Sequence, residues 1–484
     1  MAWLRPSWPQ LVGLVALLAA TVSGGRFLRD PDSYWHVAAG RWIIENGTVP
    51  TRDPFAWSVH DAPWTAHEWL WDVVVQWVFE LGNWPAVGVM SALTLAATLA
   101  VMMRYLVDHM KPLRAIVLVL LAGLTLEPHA LARPHGFALL LLAAWTAGLL
   151  RATDEYRPPS WWLALLMVPW SNSHASFVFG LALAGALGLD ALLKAAPGQR
   201  RRLAWGWLRF GVLAALASQI NPVGIDALLY PLNTVTMSDA GALIGEWKPP
   251  VVARSVELEA WLLGLVGIGL LLRPRLSPIR VLVLLGLLHM TLHHVRHADL
   301  LAVVAPLLLA KSLDEAAERA SGNAPPIRLD RWFEALGPRA HVLSVLVSTT
   351  ALLLALWPMA TRNIEPARAI TPAAAVDAGL QLPGHVFNHY DYGGYLIFRG
   401  VPVFIDGRGD PYGNAFTQAA IKAVLDGTDL LDLLDRHGAA WTLLPASSAA
   451  VATLDRSEGW LRYYTDDVTV VHRRVTPTPD SASP

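Results

Sequence analysis

The chain has 484 residues, 54% of them hydrophobic and 15% charged, with a formal net charge of −1 and no cysteine. That composition excludes an ordinary soluble domain and, without basic aromatic-studded segments, a nucleic-acid partner. The missing cysteine excludes disulfides, thiolate metal ligands and cysteine nucleophiles. Repeated long apolar runs instead predict an integral membrane protein. Many of the 22 Trp fall near predicted span ends, where an amphipathic ring suits the interface: Trp8, Trp57, Trp64, Trp161, Trp162, Trp205, Trp207 and Trp357.

The first apolar run, residues 10–25, follows Arg5 and ends without a small-x-small cleavage pattern, so it is expected to be a retained anchor. Residues 26–83 form a long polar connection with amphipathic helices predicted at Ser33–Ile44 and His67–Glu80. In the second of these, Asp72, Gln76 and Glu80 repeat every fourth position, the pattern of a helix lying along a membrane surface. Ten further spans are predicted near 84–106, 112–127, 135–151, 160–171, 175–193, 203–219, 256–272, 278–292, 298–311 and 340–358. Stretches 160–193 and 278–311 would each reach about 50 Å as one helix, beyond a hydrocarbon core of about 30 Å, and each has a polar centre, so each reads as a hairpin.

Orientation follows from the basic residues. Arg104, Lys111 and Arg114 lie in one loop, Arg151 and Arg157 in another, then Lys194 with Arg200 to Arg209, Arg273 to Arg280, and Lys311 to Arg339. All fall in alternate loops, which predicts the amino terminus inside and the carboxyl terminus outside.

After residue 359 the composition becomes that of a soluble unit. Strands are predicted at His385–Asn388, Tyr395–Phe398, Pro402–Asp406, Ala440–Leu444 and Val468–Arg473, with helices at Ala415–Leu425 and Asp429–His437. The expected fold class is thus an all-α polytopic membrane protein of about eleven transmembrane helices with a small C-terminal extracytoplasmic α/β domain. Its expected parts are a membrane domain over 1–359 that includes the first outer loop 26–83, an outer domain over 360–475, and a disordered tail over 476–484 rich in Pro, Ser and Thr.

Chemically capable residues gather in the connections predicted to face outward. The first outer loop opens with Arg29-Asp30-Pro31-Asp32-Ser33-Tyr34-Trp35-His36, directly after an apolar run, where a carboxylate base could meet a lipid-linked substrate. Asp32 is also placed to cap a helix starting at Ser33. The loop continues through His67-Glu68. Glu127, His129, Arg133 and His135 lie between the third and fourth spans, and Asn172 and His174 between the fifth and sixth. Asn221 opens an outer connection that also holds Glu246 and Lys248, and His293, His294, Arg296 and His297 occupy the turn after the ninth span. Any one turn reads most simply as satisfying helix ends, but several together can build a pocket. Arg133, Arg296, Lys248 and His297 supply donors suited to phosphate oxygens, and Asp30 or Asp32 supplies a base. A carboxylate–histidine cluster leaves room for a divalent metal, although no spacing here is a metal signature.

These residues resemble the GT-C superfamily of integral-membrane glycosyltransferases, in particular a bacterial branch dependent on polyprenyl-phosphate sugars. The resemblance is carried by Asp30-Pro31-Asp32-Ser33-Tyr34-Trp35-His36, Gly40-Arg41-Trp42-Ile43, Asp53-Pro54-Phe55, His67-Glu68-Trp69-Leu70, Ala132-Arg133-Pro134-His135, Asn172-x-His174, Asn221-Pro222, Glu246-Trp247 and Arg296-His297. In the outer domain it continues through Asn388-x-Tyr390-Asp391-x-Gly393-Gly394-Tyr395 and Phe404-Ile405-Asp406-Gly407-Arg408. It implies a polyprenyl-phosphate-linked sugar as donor, inversion at the anomeric centre, and a first-loop carboxylate as base toward the acceptor. By position that role falls on Asp30 or, preferably, Asp32. Better-known branches often set a Glu beside the Asp, whereas here Pro31 separates two Asp.

The function expected is transfer of a sugar to a glycan, lipid or protein acceptor at the outer face of the cytoplasmic membrane. The alternatives are a transporter or flippase for a lipid-linked glycan, and a non-catalytic envelope scaffold. Transporters place charges near the midplane. Here the charges cluster toward the ends of the predicted spans.

Overall fold

The computed structural model describes residues 6–235, 247–252, 255–322, 336 and 339–475. Contacts divide the chain into two compact units. One holds the residues up to Phe27, Pro85–Asn233 and the segment ending at Ile364. The other gathers Leu28–Trp84 with the residues from Glu365 onward. Segment Leu28–Trp84 therefore groups with the C-terminal residues, a partition that differs from the linear boundary at 359. The reason is packing: the loop's side chains are shared with the C-terminal core rather than spent on the apolar helices.

The first unit is helical. Among the described residues five helices are long and apolar enough to cross a bilayer: Trp69–His109, Pro112–His129, Pro134–Asp154, Phe177–Lys194 and Val342–Arg362. Shorter apolar helices occupy Trp8–Val22, Trp161–Ser171 and Pro278–His293. This is a multi-pass membrane protein. The helix Ala298–Ser321 forms its centre, with an unbroken buried run from Ala298 to Ala310. It packs against Pro112–Leu126, Pro134–Asp154 and Pro278–His293. A helix apolar all round is stable only when surrounded, which this one is. Trp8–Val22 pairs with Val342–Asn363, where Gln10 Nε2 donates to Ser348 Oγ at 3.0 Å. Trp145 and Trp261, both buried, donate to the Gly180 carbonyl and Thr125 Oγ1. At the basic loops Arg280 bridges Asp154 and Asp190, and Arg114 pairs with Asp314.

Trp69–His109 spans 41 residues, but Gly82 and Asn83 leave helical geometry, with Asn83 at φ 54°. The amphipathic segment and the following span are thus separate runs on either side of a kink, as their different patterns predicted. The predicted span 160–171 is two short helices, Trp161–Ala164 and Met167–Ser171.

The second unit contains a four-stranded sheet, β1 (Val386–Asn388), β2 (Trp441–Pro445), β3 (Trp460–Thr465) and β4 (Thr469–Arg474), in the order β1-β2-β4-β3. β1 and β2 are parallel, and the remaining pairs antiparallel. A parallel pair needs a long crossover, supplied here by the helices Gly413–Leu425 and Leu430–His437. Phe387, Phe404, Trp441, Leu443 and Leu444 form the core with Trp35, Trp64 and Tyr34 of the first loop.

Two predicted strands are corrected. Tyr395–Phe398 lies in a helix, Gly393–Phe398, because a short run buried on all sides carries no alternation to separate strand from helix. Pro402–Asp406 is not a strand; Val403 alone makes a bridge, to Ala56, beside a proline that cannot donate to a ladder. β3 was not predicted; its faces alternate weakly.

Candidate functional site

The acidic motif sits where the helix Asp32–Asn46 begins. A helix start leaves backbone N–H groups without intrahelical partners. Asp30 Oδ1 accepts the N–H of Asp32 at 2.8 Å, while Pro31 takes the cap position without a side-chain bond. The capping role expected of Asp32 therefore belongs to Asp30. The helix starts one residue earlier than predicted, with Asp32 as its first residue.

Both carboxylates are buried, and the backbone at Gly407 closely approaches the carboxylate of Asp32. A β-carbon at Gly407 would collide with Oδ1 of Asp32, and one at Gly394 with the Pro31 carbonyl oxygen. Only glycine allows that approach. The paired-glycine and Asp-Gly-Arg motifs thus serve as the wall against which the acidic turn rests.

The wall is held by buried ions. Arg408 donates through Nε and Nη2 to Asp406, at 2.8 and 2.7 Å, and through Nη1 to Asp53 of the first loop at 2.6 Å. Tyr412 donates to Asp406 Oδ2 at 2.5 Å. The guanidinium also stacks on Trp64 and Phe55, 4.7 and 5.1 Å from the ring centroids. Burial works against its charge, but Asp406, Tyr412 and Asp53 outweigh it and hold the pKa up. Around this network Trp57 N–H donates to the Val403 carbonyl, Val403 N–H to the Phe55 carbonyl, and Thr65 N–H to Asp410.

His36 lies one turn beyond Asp32. Its Nδ1 is 2.6 Å from Asp72 Oδ1, with each side chain 1% exposed. Burial lowers its pKa to about 4, against the opposing pull of Glu68 and Asp30. His67 and Glu68 form a looser pair at 3.6 Å.

The remaining predicted residues lie in the first unit, where turns meet in pairs. His129 Nδ1 is 3.7 Å from Asp299, joining the 127–135 turn to the one after His293, and His135 Nε2 donates to the His129 carbonyl at 2.6 Å. Glu127 pairs with Arg26 at 2.6 Å. Arg133 precedes the helix Pro134–Asp154 in extended geometry. Arg296 lies over Trp247, 4.4 Å from its centroid, and His294 donates to the Trp247 carbonyl. The Lys248 carbonyl accepts from Val295. His293 packs on His289 at 4.4 Å between centroids. His297, partly buried, has its pKa lowered to about 4 by burial, and its Nδ1–H donates to the Met290 carbonyl at 3.1 Å. Asn172 Nδ2 donates to the Val168 and Ile220 carbonyls, and Asn221 closes its own turn through Ser218 and Val223. His174 bonds Ser176 at 2.8 Å. Glu246 lies outside the described residues. Among the described residues no three His, Asp or Glu are grouped as metal ligands.

Residue-level reading missed Asp72, Asp53, Asp406, Arg408 and Tyr412 as parts of this arrangement, although several stand in the quoted motifs. Asp72 shares the polar face of its helix with Gln76 and Glu80, which made it read as a solvated position rather than a buried partner.

No family model matches the chain, and no curated protein matches it significantly. Solved structures do. The Archaeoglobus fulgidus oligosaccharyltransferase tethered with an acceptor peptide containing the NVT sequon is similar with a TM-score of 0.56 at 11% identity, over 98% of this chain and 75% of that one. Its apo form gives 0.55 at 11%, over 92% and 70%. ArnT from Cupriavidus metallidurans in the apo state gives 0.50 at 14%, over 96% and 97%. At such identities the likeness is one of fold alone, shared with these structures over nearly the whole of this chain.

Proposed function

We propose that this chain, with its GT-C fold, is a membrane glycosyltransferase. It moves a sugar from a polyprenyl-phosphate-linked donor to a glycan, lipid or protein acceptor at the outer face of the cytoplasmic membrane. Asp32 is the general base. The acceptor hydroxyl gives its proton to the Asp32 carboxylate as its oxygen bonds to the anomeric carbon. The bond from that carbon to the phosphate oxygen breaks, and the polyprenyl phosphate leaves with the electron pair, inverting the centre. For the donor phosphate we assign Arg133, Arg296 and Lys248.

The observation that supports the base assignment is the division of labour in the acidic turn. Asp30 accepts the Asp32 N–H at the helix start, and the Asp32 carboxylate is held against the Gly407 backbone. The amino terminus inside and the C-terminal residues outside belong to the same proposal, on the alternation of basic loops.

The test compares envelope glycans, by mass spectrometry, in cells with the wild-type protein, without it, and with Asp32→Asn. A sugar lost in both of the latter, at unchanged abundance of the variant, is expected. Transfer retained by Asp32→Asn removes Asp32 from the base role, and a glycan profile indifferent to the protein removes the activity.

A further inference from the structure

The buried pair His36–Asp72 is not accounted for by the base assignment. A buried carboxylate and imidazole cost several kcal/mol in desolvation unless they satisfy each other, and here they do so at 2.6 Å with both side chains 1% exposed. The pairing is also built into the backbone. A β-carbon at Gly40, one turn past His36, would collide with the carbonyl oxygen of Asp72, so the two helices touch backbone to backbone beside the pair. The Trp35 ring covers the imidazole at 3.7 Å between centroids. Asp32 and His36, at i and i+4 on one helix, share a face.

Burial disfavours net charge, so the pair holds one proton in its shared bond and another on the far nitrogen of the ring. In that state Nδ1 is committed to Asp72 and Nε2–H remains a donor. The second nitrogen of an imidazole is set by whatever the first one binds.

We propose that Asp72, acting through His36, is a positioning residue for the Asp30–Asp32 turn, fixing the imidazole so that its Nε2–H steadies the ionised base. This rests on the reading of Asp32 as base. The charged and titratable groups acting on the pair are Asp30, Glu68 and His67 at His36, and His67 and Arg408 at Asp72.

The experiment is the pH dependence of sugar transfer by the purified full chain, using a synthetic polyprenyl-phosphate sugar, in wild type, Asp72→Asn, His36→Leu and His36→Gln. A donor bond to an ionised carboxylate favours that form, so losing it moves the acid limb of the rate profile upward, by about one pH unit. We expect that shift in Asp72→Asn and His36→Leu, no larger shift when the two are combined, and an unchanged KM for donor. His36→Gln, which keeps an N–H, should stay near the wild-type limb. Should Asp72→Asn fold poorly, the Leu and Gln variants decide the matter alone. Reduced rates with an unmoved acid limb overturn the positioning role and leave the base intact. An acid limb that survives Asp32→Asn overturns the base reading and the positioning role with it.

Discussion

Nη1 of Arg408 meets Oδ1 of Asp53 at 2.6 Å across 355 positions of sequence, with both side chains essentially unexposed. One guanidinium there neutralises carboxylates from the two ends of the chain, Asp53 from the first loop and Asp406 from its own turn.

Removing that guanidinium leaves two buried carboxylates without a counter-ion. Arg408→Met should destabilise the protein by about 3–5 kcal/mol, the usual cost of breaking a buried pair from one side. A lowered melting temperature in detergent checks this, and an unshifted one would show that water reaches the network.

Gly407 touches Asp32 through space that a side chain would fill. Gly407→Ala should push the carboxylate away and cut turnover by about 100-fold, since small misplacements near reacting groups cost rates of that order. Transfer should fall while the amount of inserted protein holds; full activity would mean that the contact carries no positional constraint.

Arg133→Ala or Arg296→Ala should weaken donor use by about 2–4 kcal/mol if the guanidinium pairs with a buried phosphate. Arg296 has a second support, the face of Trp247, so Arg296→Lys should not restore function. A rate curve that responds to donor concentration as wild type does would withdraw the assignment.

The sequence by itself determined whatever depends on neighbours within a few turns. Runs such as 112–127 and 135–151 appear as helices because a membrane-spanning pattern repeats locally, and β1, β2 and β4 lie where alternation and turn residues put them. The break between the amphipathic segment and the next span was legible for the same reason, a change of pattern at Gly82 and Asn83. Tyr395–Phe398 was not legible, because five buried residues in a row look alike in either conformation. Only the tertiary structure decided that Asp30 rather than Asp32 caps the helix, that Asp72 holds His36, and that the Asp-Gly-Arg turn lies against the acidic motif. Each depends on where two distant backbones come within a few ångströms. No periodicity records that distance, since chain separation and spatial separation become unrelated once the chain has folded.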